Sequence, residues 1–211
     1  MNEKDVFSAL KEIRENSKKR KFEESIDLAI NLKDFDIKKE SVDIFVSLPN
    51  KTKEKKICFF LETDPSIKGI DVITKSQISS YDKRKAKSLA KKYDYFVSIS
   101  PLMPSIATTF GKIFGPRGKM PSPAAGSIIP KADVKLLEET SEKLQKIVRM
   151  KTRGERTIKI TIGKENIGDK EITENFMAAF NSIIAALPKG DKNIKSMQLK
   201  FSMGEPVKIK I

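Results

Sequence analysis

Arg20, Lys21 and Phe22 set two cations beside an aromatic ring, just ahead of an alternating apolar stretch. Lysine and arginine meet phosphates, and an exposed ring gives a base a surface to stack on. The same residues would serve equally as a solubilising turn next to a core phenylalanine. Near the other end of the chain, Ser196, Ser202, Met203 and Gly204 make a second group. Ser196 and Ser202 are evenly spaced, so on a strand they share one face with Lys200. Hydroxyls on a flat face can pair with 2′-hydroxyls and phosphates, and a glycine at 204 lets backbone approach backbone. A polar sheet face followed by an ordinary turn has the same sequence pattern.

Catalytic chemistry finds less support. The chain contains no histidine, the commonest general base and metal ligand. Cys58 is the single cysteine, so it allows neither a disulfide framework nor a thiolate cluster. It sits in the apolar run Ile57-Cys58-Phe59-Phe60-Leu61 and reads as core rather than nucleophile. No spaced pair of carboxylates stands out. Phe110–Pro123, with Gly111, Gly115 and Gly118 among Pro116, Pro121 and Pro123, invites a nucleotide-loop reading. A phosphate loop ends Gly-Lys-Ser/Thr, but Met120 follows Gly118-Lys119, and Ile113 stands where the upstream glycine belongs. No Gly-x-Gly-x-x-Gly follows Leu61 or Ile99. We therefore expect no enzyme, no cofactor and no metal. Its prolines and glycines make 110–123 read as a shaped, exposed loop presenting Lys112, Arg117 and Lys119. A rigid basic connector without a ligand is the other reading.

The composition narrows the partner. Of 211 residues, 38% are apolar, enough for a core, and the net charge is +14. Such a charge implies a polyanion, with nucleic acid the usual one and an anionic membrane surface the rival. No stretch approaches the roughly 18 apolar residues of a membrane span, and Met1–Lys21 lacks the apolar run of a signal peptide. One cysteine suits a reducing cytosol. Residues 1–54 hold 12 Lys+Arg against 12 Asp+Glu, 55–152 hold 19 against 9, and 153–211 hold 11 against 7. On these boundaries the middle of the chain should attract polyanions most. The run Lys83, Arg84, Lys85, Lys87, Lys91 and Lys92 is also what a solvated helix face carries, and both readings stand.

These residues need elements to position them. Val6, Leu10 and Ile13 have helical spacing, and Arg14, Lys18, Lys19, Arg20 and Lys21 follow as a basic run. Ile26, Leu28, Ile30 and Leu32 alternate with polar residues as a half-buried strand, and Val42–Leu48 repeats the pattern. Ile57–Leu61 and Tyr95–Ile99 are continuous apolar runs, as strands covered on both faces require. Asp71–Ile73 and Ile128-Ile129 are shorter strands. Helices are expected over 80–92, from Pro101 to about Phe110, and over 133–150 with Val134, Leu137, Leu144, Ile147 and Val148 inward. Past Thr152, Ile158, Ile160 and Ile162 mark a strand, and Asp169 can cap a helix running to Leu187. Met197, Leu199 and Phe201 then alternate, and Val207, Ile209 and Ile211 end the chain as a last strand.

The fold class is thus α/β with two domains. Residues 1–54 plus 153–211 form a split α/β domain around an antiparallel sheet. Residues 55–152 form an inserted, Rossmann-like three-layer domain with a parallel sheet. Hinges are expected near Lys51–Lys55 and Thr152–Gly154.

Phe114–Pro123 resembles the signature loop of the ribosomal protein L-one family, the large-subunit protein of the mobile side stalk. Lys21–Leu32 resembles that family's Lys-Phe-x-Glu-Ser strand, and Phe201–Gly204 its Thr-Met-Gly motif. Order and spacing match over essentially the whole chain, in a form more archaeal than bacterial. The resemblance implies the same split domain plus Rossmann-like insert, and no enzymatic activity. It implies partners: large-subunit ribosomal RNA, the exit-site tRNA whose release it assists, and its own messenger, which it represses. It implies a cytoplasmic, ribosome-bound protein, monomeric off the ribosome. Carried over residue by residue, the RNA-binding positions are Lys21, Phe22, Ser25, Lys164, Ser196, Ser202, Met203 and Gly204, with Arg20, Arg117 and Lys119 as secondary basic contacts. Ser202 stands where threonine is common, and Ser122 interrupts the loop's usual Pro-Asn-Pro. The outer domain is expected to specify the RNA and the middle domain to add weaker contacts. A non-ribosomal RNA chaperone or assembly factor of the same fold is the alternative.

Overall fold

The computed structural model describes residues 3–18, 20–37, 40–65, 70–152 and 154–209. Lys19 and Ile211, read above as part of a basic run and of a last strand, lie outside them. In chain order the elements are α1 (Glu3–Asn16), β1 (Ser25–Leu32), β2 (Asp43–Ser47), β3 (Ile57–Leu61), β4 (Asp71–Thr74), α2 (Lys75–Ile78), α3 (Lys83–Lys92), β5 (Tyr95–Ile99), α4 (Met103–Arg117), β6 (Ile128–Ile129), α5 (Val134–Lys146), β7 (Ile147–Lys151), β8 (Thr157–Lys164), α6 (Asp169–Ala186), β9 (Ile194–Phe201) and β10 (Val207–Ile209). The fold is mixed α/β, and the chain divides into two units, Met1–Lys53 with Lys146–Ile211, and Glu54–Gln145.

In the first unit, the alternating segments pair antiparallel in the order β10-β9-β1-β8. Their even-phase residues Ile26, Leu28, Ile30, Ile158, Ile160 and Ile162 turn inward with Met197, Leu199 and Phe201. Val6, Leu10 and Ile13 of α1, with Ile172, Phe176, Ala179, Phe180 and Ile183 of α6, cover that side of the sheet. Asp169 begins α6, but Gly168 is its N-cap. Asp169 instead accepts from Arg14 Nε at 2.8 Å, while the two terminal nitrogens of Arg14 donate to the carbonyls of Glu165 and Ile167. Arg14 is thus a tie between helices rather than a member of a free basic run.

In the second unit, β4-β3-β5-β6 form a parallel sheet. Phe60 and Phe96 reach from it to Phe110 and Phe114, with the Phe96 and Phe114 rings stacked at 4.3 Å. This aromatic core corrects the reading of 110–123 as an exposed loop. Residues up to Arg117 belong to α4, and Phe110 and Phe114 are fully buried. Ile106, Phe110 and Phe114 recur every four residues on one face, and their burial outweighs the glycines and the proline. Pro116 falls in the last turn, after a glycine that has no Cβ for its ring to meet. Gly118, at φ 64°, closes the helix. Its amide bonds to the Gly115 carbonyl and the Lys119 amide to that of Phe114, the paired ending that a left-handed residue permits.

A second correction concerns 133–150. The helix stops at Lys146, and Ile147–Lys151 pairs antiparallel with β2. Val134 is exposed rather than inward. The chain therefore returns to the first unit between Gln145 and Lys146, not at Thr152. This moves charge. On these boundaries the first unit holds 26 Lys+Arg against 18 Asp+Glu and the second 16 against 10. Positive charge is not concentrated in the middle of the chain.

Candidate nucleic-acid interface

Strand alternation that buries one face of the antiparallel sheet leaves the other polar. That face carries Ser25, Asp27, Ala29 and Asn31 from β1, Thr157, Lys159 and Thr161 from β8, and Ser196, Gln198 and Lys200 from β9. Its hydroxyls are ordered by one another's neighbours. Thr161 Oγ1 donates to Asp27 Oδ1 at 2.7 Å and Ser202 Oγ to Asp27 Oδ2 at 3.0 Å. Asn31 donates to Ser196 Oγ at 3.0 Å and accepts from Thr157 Oγ1 at 2.9 Å.

One end of this face gathers most of the sequence-derived positions. Ser25 pairs in register with Lys164 on one side, and the Ser202 amide donates to the Ser25 carbonyl on the other. Lys164 Nζ lies 3.0 Å from Glu23, an exposed carboxylate that also accepts from Asn166. Lys21 and Phe22 precede the strand, both exposed, with Phe22 at 57%. Met203, at 62%, tops the turn after β9. Phe22 and Met203 are the two large apolar side chains that this rim leaves exposed to water. A Cβ on Gly204 would come within 3.2 Å of the Phe201 Cβ, a tight approach that a larger residue would make only if the turn gave by a few tenths of an ångström. Ser196 lies at the far end of β9, on the same face but about 20 Å from Ser202 at the usual rise per residue.

Sequence reasoning missed the residue that holds this rim together. Glu24 is 4% exposed. Its Oε1 meets Arg20 Nε at 2.7 Å, and its Oε2 accepts from the Met203 amide at 3.0 Å. Arg20 closes the ring by donating to the Met203 carbonyl at 3.2 Å. The two motifs are thereby joined through a buried carboxylate, with Arg20 as the brace between them. The signal was present: Glu24 is in phase with Ile26, Leu28 and Ile30, the inward set.

Arg117 and Lys119 lie in the other unit. Lys119 Nζ donates to the carbonyls of Ala90 and Tyr93, satisfying the end of α3, while exposed Arg117 reaches the Lys87 carbonyl at 3.4 Å. Ser122 accepts from the Ala124 amide, and its own amide bonds to Ser127 Oγ at 2.8 Å, so the serine fixes this turn. Cys58 is buried, and burial with Asp71 nearby pushes its thiol up to about 12, which removes the thiolate a nucleophile needs. No helix among the described residues is long and apolar enough to cross a membrane.

Residues 10–205 match the family described as ribosomal protein L1p/L10e. Over 214 residues the chain is 35% identical to the large ribosomal subunit protein uL1 of Pyrococcus abyssi, covering 97% of this chain and 95% of that one. Over 208 residues it is 36% identical to the large ribosomal subunit protein uL1 of Nanoarchaeum equitans, covering 95% and 97%. The protein of that name from Thermococcus kodakarensis is 35% identical over 213 residues, covering 97% and 96%.

Proposed function

Because the chain belongs to the ribosomal protein L1p/L10e family, we propose that it is a protein of the large ribosomal subunit that binds ribosomal RNA through the rim built on Glu24. Its role is recognition and positioning, not catalysis. Phe22 and Met203 supply apolar contact to bases or riboses, and Lys21 and Lys164 meet phosphates. Ser25, Ser196 and Ser202 offer hydroxyls to the 2′-hydroxyls that mark RNA. Gly204 keeps the turn low enough for a backbone to approach. The observation that carries this reading is the pair of exposed apolar side chains, Phe22 and Met203, on two segments locked together by Arg20 and Glu24. A site whose contact groups are held before the ligand arrives loses less freedom on binding.

From the same family membership we infer its further duties: assisting exit-site tRNA release, and repressing its own messenger through a fold like the ribosomal one. It works in the cytoplasm, bound to the ribosome, and is a monomer when free. The test is a pair of substitutions. Phe22→Ala and Met203→Ala should each weaken binding of a stalk ribosomal RNA fragment by about tenfold, the scale of one lost base contact. Thermal unfolding should stay unchanged, since both side chains are exposed. Unaltered affinity in both variants would place the RNA elsewhere.

A further inference from the structure

Helix α3 carries six cations in ten residues and no acid: Lys83, Arg84, Lys85, Lys87, Lys91 and Lys92, all exposed. Lys92 has a carboxylate near it, Asp71 at 3.8 Å. Lys83, Arg84, Lys85, Lys87 and Lys91 have no ion pair among the described residues. For the helix itself this arrangement is unfavourable. Lys83, Arg84 and Lys85 occupy the first turn, where the helix dipole disfavours positive charge. Lys83 with Lys87, and Lys87 with Lys91, are like charges at i,i+4, a spacing that costs rather than contributes. Asp82 offsets part of this by capping the Lys85 amide at 2.8 Å. The inward face needs only Ala86, Leu89 and Ala90. Nothing in the packing asks for five unpaired cations. Lys119 shows the contrast, because its ammonium is consumed by the carbonyls at the end of this same helix.

We propose that the outer face of α3 is a second RNA-docking surface, one that takes the sugar–phosphate backbone without reading its sequence. Phosphate supplies the charge that the helix lacks, and release of counterions supplies affinity. Beside the helix lies an open hollow of about 600 Å³ lined by Val72 and Leu89 as well as by Gln77, Ser80, Lys85 and Lys92, so it offers apolar contact together with polar groups for ribose hydroxyls and phosphate oxygens. An anionic bilayer fits less well. A membrane-surface helix needs an outward apolar strip, and none of the large exposed apolar side chains, Phe7, Phe22, Val134 and Met203, lies on α3. The inference rests on the RNA-binding reading for the identity of its ligand.

The test uses the full chain with Lys83→Gln, Arg84→Gln, Lys87→Gln and Lys91→Gln combined. Binding is measured from 50 to 200 mM salt against a stalk RNA fragment, a scrambled RNA of equal length, and vesicles of mixed phosphatidylserine and phosphatidylcholine. The variant should bind both RNAs more weakly by about tenfold at low salt, with a shallower salt slope and an unchanged ratio between the two RNAs. Its melting temperature should equal or exceed that of the parent. Parental affinity and slope in the variant would overturn the proposal, while loss of specificity in Phe22→Ala and Met203→Ala would leave the rim reading standing. A parent that binds neither RNA would overturn both readings. Loss of vesicle binding alone would assign the surface to lipid and overturn it in favour of a membrane.

Discussion

Glu24 is where the candidate site is most exposed to a single change. It is buried and receives an arginine and a backbone amide. Glu24→Ala should lower stability in urea by about 2 kcal/mol, the order expected when a buried hydrogen-bonded partner is removed. It should also weaken RNA binding although Glu24 itself points away from solvent. Retention of both would mean that the Met203 turn holds itself. Cys58 gives a second check at this scale. With its thiol raised to about 12, it should be inert to a disulfide reagent at pH 8 in the folded protein and react once urea exposes it. Exposure of Phe22 and Met203 was legible only through the motifs, since the pattern alone allowed a core phenylalanine. Glu24 was legible from its phase in β1 but reads as an ordinary acidic residue unless that phase is followed one step ahead of the apolar run.

Among the elements, those with clean periodicity were readable from sequence: α1, β1, β3, β5, β8, α6 and β9 fall where the alternations and apolar runs put them. Misreadings came where two signals overlapped. In α4, the glycines and Pro116 outvoted the four-residue repeat of Ile106, Phe110 and Phe114, because the repeat starts before the glycine-rich stretch. Phe114→Ala should therefore behave as a core substitution, costing about 3–5 kcal/mol, whereas a loop residue would cost little. At 133–150 an apolar pair, Ile147 and Val148, continued the helical spacing, yet β2 needed a partner strand. That β2–β7 ladder is held partly by charge. Arg149 grips both Asp43 oxygens, at 2.7 and 2.6 Å, and lies over the Phe45 ring. The hydrogen bonds from Arg149, with Lys151 nearby, hold the Asp43 carboxyl below its ordinary 3.8. A depressed carboxyl stabilises the fold above its ordinary value and loses that contribution as pH falls through the lowered one. Asp43→Asn should thus cost at most about 1 kcal/mol at neutral pH, since the pair is a third exposed. The deficit should shrink as the pH is taken well below 4.

At the scale of the whole molecule, the net charge of +14 implies a polyanionic partner but does not say where it binds. Attributing most of the charge to the middle of the chain depended on a boundary at Thr152, and moving that boundary to Lys146 leaves both units basic. Charge therefore does not choose between the rim built on Glu24 and the face of α3. Chemistry separates them, because the rim exposes the large apolar side chains of Phe22 and Met203 beside its cations and hydroxyls, while the outer face of α3 exposes mainly cations and no large apolar side chain. Specificity should then reside in the first and salt dependence largely in the second. The most direct measurement is a titration of a labelled large-subunit stalk RNA fragment against a scrambled RNA of equal length at moderate salt. A preference of roughly 10³ or more, the lower range for specific nucleic-acid binders, is the result expected of a ribosomal RNA-binding protein. Equal affinity for the two RNAs would contradict it and leave a basic protein of this family acting as a general RNA chaperone.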